Sequence, residues 1–205
     1  MVELYRGHEV AVHSYSYPHL EDMPRESIVQ EVLEDRKQLE KWFGYLVRGM
    51  AYPFGTYKKL VLEVLNTLGI EYSRTVNQHD NFDLPKNFLE WNPTCYHKNP
   101  KLMDITKKFV ESQFSGLSLF YVWGHSYEFD VDENWEIIEE FSKVISNRPD
   151  IWYATNIEIV DYIKALKNIK LSAENSIIYN PSCISLWISV NEELIEIKAG
   201  ETRDI

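Results

Sequence analysis

The chain has 205 residues, 44% hydrophobic and 14% aromatic, with a formal net charge of −11. That length and apolar content support one sizeable domain with a real core and exclude a disordered chain. The acidic balance supplies no basic face for nucleic-acid phosphates, and no run of about 18 apolar residues offers a membrane span. Cys95 and Cys183 are too few for a disulfide framework or a thiolate zinc site. They read as unpaired thiols of a reducing compartment. The opening stretch MVELYRGHEV has no apolar segment of the secretory type, so a cytoplasmic location is the default expectation.

Taken in chain order, the pattern alternates. EVAVHS, residues 9–14, is a short β-rich run. In residues 24–44, Ile28, Val29, Val32, Leu39 and Phe43 recur at helical spacing between Pro24 and Gly44. A strand is expected over 45–53, stopped by PFG. A helix follows in TYKKLVLEVLNTLG with Gly69 as its cap. IEYSRTV and part of FLEWNPTCYH read as strands, and PKLMDITKKFVESQF as a helix with proline at its start. LSLFYVWGH, residues 117–125, carries the clearest strand pattern. A helix in NWEIIEEFSKVISNR, a strand in IWYATN and a helix in IEIVDYIKALKN complete the series.

Strands alternating with helices imply parallel strands joined by right-handed crossovers, as in a (β/α) barrel or an open doubly wound sheet. No glycine-rich phosphate loop follows any strand, so nothing supports a nucleotide-binding version. The tail is rich in β-branched residues, with turn signals at Asn180-Pro181 and Asn191-Glu192. It predicts a small antiparallel appendage packed on the last helix. The expected division is a barrel over 1–170 and a β appendage over 171–205.

In such folds sites form at the carboxyl ends of the strands. The residues there are His13, the turn from Ala51 to Gly55, His97 and His125. Each histidine taken alone also reads as a satisfied, partly buried side chain. Three of them at one mouth point to a functional site.

Three stretches carry a family resemblance. HSYSYPHL resembles a His-(Ser/Thr)-x-x-His-Pro metal motif, RGMAYPFGTY an Arg-Pro-Pro-Tyr-Gly groove motif, and LFYVWGH a Leu-x-Leu-x-His motif. Together, over about residues 5–165, they resemble the polysaccharide deacetylase family, the NodB-homology domain of carbohydrate esterase family four. The resemblance implies an α/β fold, a distorted (β/α) barrel, that hydrolyses the amide C–N bond of N-acetylated sugars. It implies a divalent metal, most often zinc, held by one Asp and two His, with a second Asp as base. A metal polarises the carbonyl and activates water, a backbone N–H stabilises the oxyanion, and a histidine protonates the leaving amine.

Carried over residue by residue, His13 matches the first metal histidine and Ser14 the supporting hydroxyl. Tyr17 stands where the second metal histidine belongs, and a neutral phenol is a poor zinc ligand beside imidazole. His19, two residues on, is the candidate replacement. In the groove motif Ala51 replaces the arginine and Tyr52 the first proline, while Pro53, Phe54 and Gly55 keep the turn. The Phe54 N–H is the oxyanion candidate. His125 matches the proton donor, with Trp123 and Tyr127 as flanking stacking surfaces. His97 and Glu128 are additional candidates for a relocated site. The aspartate motif expected some tens of residues before His13 has no counterpart here. The barrel is therefore expected to be incomplete, truncated by its first βα unit and open along a strand edge.

Three outcomes stand open on this reading. One is a deacetylase-family hydrolase of impaired activity. Another is a non-catalytic carbohydrate-binding or interaction protein. A third is a truncated chain that dimerises or pairs through its exposed edge.

Overall fold

The computed structural model describes Val2–Ile205. The chain forms two compact units, one ending at Tyr153 and one running from Ala154 to Ile205.

In the first unit, Val12 makes a single parallel bridge to Met50, all that the run at 9–14 contributes as strand. Helix α1, Arg25–Phe43, starts after an extended Pro24 and ends at Gly44, whose φ of 74° lets its N–H reach Glu40 O. Its apolar stripe buries Ile28 and Val32, with Val29 and Leu39 packed alongside. Strand β1, Gly49–Ala51, pairs in parallel with β2, Tyr72–Arg74. Between them lies α2, Lys59–Thr67, with Gly69 at φ 74° just past its end. Arg74 is bridged in parallel to Trp91. Strand β3, Cys95–Tyr96, pairs in parallel with β4, Val122–Trp123, around α3, Leu102–Glu111. The short α4, Tyr127–Val131, and α5, Glu136–Ile145, follow.

Two apolar clusters hold this unit. The larger joins Val12, Met50 and Tyr52 to Val61, Val64 and Leu65 of α2 and to Ile28 and Val32 of α1. The smaller is Phe82, Cys95, Leu102 and Ile105, with Phe109, Phe120 and Val122 packed on it. Burial against these clusters, not helix propensity, is what selects one packing.

The second unit opens with α6, Asn156–Lys167, held at its start by a reciprocal box between Thr155 and Glu158. Strands β5, Lys170–Leu171, β6, Ile177–Tyr179, and β9, Thr202–Asp204, form one antiparallel sheet. Strands β7, Leu186–Val190, and β8, Glu193–Ile197, form a hairpin, turned by Asn191 and Glu192 at φ 50° and 69°. The antiparallel tail expected from the sequence is present.

The helices lie where their periodicity puts them, but the strands are shorter than expected. The run 45–53 yields three strand residues and 117–125 only two. Residues 151–155 form none. There the Tyr153 hydroxyl donates to Ile145 O and accepts from Arg148 N–H, so the segment closes on α5 as a loop. The unit boundary falls before α6 and not at 170, grouping that helix with the C-terminal strands. The fold is α/β with parallel strand pairs and, among the described residues, no closed sheet. No helix among them is long and apolar enough to cross a membrane.

Candidate functional site

The parallel pairings of the first unit place a set of polar and aromatic side chains at strand carboxyl ends. His13 follows the Val12 bridge, Ala51 ends β1, Arg74 ends β2, His97 follows β3, and His125 lies two residues beyond β4.

His13 is held from two sides. Its backbone N–H donates to Asp35 Oδ2 at 2.7 Å, and its Nδ1 lies 2.7 Å from Ala51 O. That contact fixes the proton on Nδ1 and leaves Nε2 with the free lone pair. Burial pulls the His13 pKa down, the Arg74 cation adds to the fall, and the Ala51 carbonyl and Asp35 oppose it. Burial raises the Asp35 carboxyl.

Around His13 the backbone is tightly wound. Ser14, Tyr17 and Phe54 all adopt positive φ, at 65°, 60° and 56°. Non-glycine residues rarely hold this conformation, and it concentrates at functional loops. The Tyr17 ring meets His13 edge-on at 5.0 Å, and Phe54 packs on Tyr17 at 4.6 Å. His19 stacks on the far side of Phe54 at 4.0 Å, with Nδ1 3.3 Å from Glu21 Oε1. Gly55 must be glycine: its φ is +74° and a Cβ would sit 2.3 Å from Val76 Cγ2. Tyr52 and Pro53 lie buried beneath the turn, the Tyr52 hydroxyl donating to Leu89 O at 2.7 Å.

A second group lies around Glu128. The Tyr96 hydroxyl donates to Glu128 Oε2, and the same oxygen lies 3.3 Å from His97 Nε2 and 3.6 Å from His125 Nδ1. Lys98 Nζ is 3.8 Å from Glu128 Oε1 and 2.6 Å from Asp132 Oδ2. Burial pushes the Glu128 carboxyl up, but the Tyr96 hydroxyl and the charges of Lys98, His125 and His97 hold it below the usual range. Burial and the bond to Glu128 push the Tyr96 phenol up. His97 is 3% exposed, and burial lowers its pKa against the pull of Glu128. Gly124 makes room for it, since a Cβ there would stand 1.8 Å from His97 Nδ1.

Arg74 and Trp123 lie between the two groups. The Arg74 guanidinium carbon is 4.7 Å from the Trp123 ring centroid, and Trp123 meets His125 at 5.7 Å and Tyr96 at 4.7 Å. The charges of Arg74 and His125 both act on His13, and that of His125 on His97. The structure thus brings His13, Tyr17, Phe54, Trp123 and His125 to one mouth. It sets Glu128 and His97 behind His125 and leaves His19 beyond Phe54.

Sequence reasoning missed Arg74, Tyr96 and Asp35. Asp35 was findable: it falls on the buried stripe 28, 32, 35, 39 of α1, where an acid calls for a partner. Arg74 gave a weaker signal, a cation at the end of the short strand Tyr72–Arg74.

These donors do not fit a catalytic metal. Such a site normally has three protein ligands, and among the described residues no group of three His, Cys, Asp or Glu is placed to hold a metal ion. His13 is oriented as a ligand would be, by a backbone carbonyl on its other nitrogen. Its neighbours, however, are the Tyr17 ring and the Arg74 cation, which repels a divalent ion.

The fold is similar to that of polysaccharide deacetylases. A polysaccharide deacetylase family model matches residues 2–73, which include His13 and the Pro53–Gly55 turn. On that segment the chain is similar to the polysaccharide deacetylase family. Among solved structures, a Mycobacterium smegmatis protein provisionally named a polysaccharide deacetylase is similar at TM-score 0.60 and 17% identity, over 81% of this chain and 66% of that one. This likeness shows the fold. The Streptococcus pyogenes deacetylase PplD, in complex with acetate, matches at 22% identity over 45% of this chain and 41% of its own, with TM-score 0.42. BA3943, a CE4-family pseudoenzyme from Bacillus anthracis, matches at 14% identity over 78% and 49%, with TM-score 0.47. The chain spans roughly half the length of these last two structures. No curated protein matches it.

Proposed function

We propose that this chain is a carbohydrate-binding member of the deacetylase fold, an open version of its barrel, whose mouth recognises N-acetylated sugar without a metal held by His13 and His19. The observation that carries this reading is the make-up of the mouth. Trp123, Tyr17 and Phe54 supply aromatic faces, and Arg74 sits beside His13 where a metal's positive charge would be opposed. Pyranose rings present C–H faces to such aromatics and hydroxyls to the imidazoles of His13 and His125.

The hydrolase reading keeps one specific support. His125 is flanked by Glu128, the arrangement that would hold a proton-donating imidazole in place. In that role Glu128 orients His125, and His125 delivers a proton to a leaving nitrogen. No group of three His, Cys, Asp or Glu among the described residues is placed to hold the metal that would activate water.

Calorimetric titration with an N-acetylglucosamine tetramer, run beside an assay for released acetate with and without added zinc, tests both. Binding that is lost in Trp123→Ala, with no acetate released in either condition, is the expected result. Zinc-dependent acetate release that disappears in His13→Ala would overturn it.

A further inference from the structure

Arg74 is the unexplained charge of the first unit. The other partly buried arginines there all face a carboxylate: Arg36 with Glu40 at 2.8 Å, Arg48 with Glu71, and Arg148 with Asp150 at 3.5 Å. Arg74 has none within ion-pair distance among the described residues. Of its five N–H donors, one reaches the Thr75 carbonyl at 3.3 Å. Its remaining electrostatic partners are the Tyr121, Tyr17 and Tyr72 phenols and the His13 ring. The chain carries 32 acidic residues, so the lack of a partner is not for want of anions.

The Trp123 face contributes a cation–π contact but accepts none of the in-plane N–H groups. A guanidinium backed by an aromatic face is pre-set in plane, with its edge free for a bidentate acceptor. Leaving a partly buried cation unmatched is costly, and a site retains one when a ligand supplies the opposite charge.

We propose that Arg74 makes this mouth selective for a sugar that bears a carboxylate. The carboxylate sits across the free edge of the Arg74 guanidinium, and the pyranose ring lies against the neighbouring aromatics. The charge count favours a monoanion. Arg74 is the single permanent cation beside His13, Tyr17 and Trp123, so a dianionic phosphate would be left half-compensated. This inference rests on the sugar-binding reading and narrows its substrate class to acidic glycans, uronic-acid-containing ones among them.

The test is calorimetric titration of the 205-residue chain at low salt with four probes. These are a tetrasaccharide alternating N-acetylglucosamine with glucuronate, the neutral N-acetylglucosamine tetramer, free glucuronate and sodium acetate. The acidic tetrasaccharide is expected to bind about tenfold tighter than the neutral one and to weaken with added sodium chloride. Arg74→Gln should abolish that preference, and Arg74→Lys should fall between, keeping the charge but losing the fork. Equal binding of the two tetrasaccharides, or a folded Arg74→Gln that keeps the preference, overturns the carboxylate assignment while the sugar-binding reading survives. Acetate binding as tightly as the acidic tetrasaccharide overturns the sugar half of the assignment, because the site would then take a free carboxylate. Binding of neither tetrasaccharide overturns both readings. Should Arg74→Gln fail to fold, Arg74→Lys and the salt dependence of the native chain decide the matter.

Discussion

Gly124 and His97 show how closely the mouth is fitted. A methyl group at Gly124 would lie 1.8 Å from His97 Nδ1, so Gly124→Ala must displace a ring that is 3% exposed. The expected cost is about 1–3 kcal/mol, read as a lower urea midpoint at unchanged slope. His97 also predicts a pH effect. Its pKa lies below the ordinary 6.5, so the unfolded chain takes up a proton first. Stability is therefore full above about pH 7 and falls as the pH drops through 6.5 towards the folded value. Urea midpoints at pH 7.5 and 5.5 should show the fall, and His97→Asn should flatten it. Part of the slope will remain, because His13 shifts in the same direction. Glu128 adds a further loss in stronger acid, since its carboxyl is held below 4.5 in the fold. His13, Tyr17, Phe54, Trp123 and His125 could be named from the sequence because each sits in a short motif of consecutive residues. Arg74 could not, because its lack of a carboxylate exists only once every other side chain has been placed.

At the level of elements, helices were legible and strands were not. The α1 stripe and its Gly44 stop, and the Thr155–Glu158 box that opens α6, are local signals that local physics obeys. Thr155→Ala is expected to cost about 1 kcal/mol. Monitored through Trp187 fluorescence, the loss should appear in the C-terminal unit, where Trp187 N–H donates to the Tyr162 hydroxyl. A change of less than a few tenths would mean that packing of Val160 and Ile163 alone sets the start of α6. The strands failed as predictions because a parallel strand exists only opposite its neighbour. LSLFYVWGH has the composition of a long strand, yet only Val122 and Trp123 find β3. IWYATN pairs with no strand among the described residues and closes on α5 through Tyr153.

For the whole molecule, the donor set predicts how the chain meets metal. Dialysed against zinc and then buffer, the 205-residue chain should retain no stoichiometric zinc by elemental analysis, and His13→Ala should match it. About one zinc per chain, lost in that variant, would show that donors rearrange into a site that the resting fold does not hold. The division into two units was half legible. The change from helical to β-rich composition marks the tail, but nothing local reveals that α6 belongs with it. By itself the sequence determined the helices, the antiparallel tail and the short motifs around His13, the Pro53–Gly55 turn and His125. Each of these is written within a few consecutive residues, where spacing and turn chemistry act. The tertiary structure alone decided that Tyr17 and Arg74 flank His13, that His19 lies beyond Phe54, and that Glu128 gathers Tyr96, His97 and His125. Those are meetings between strands far apart in the chain, and a meeting of that kind has no energy until the core has brought the strands together.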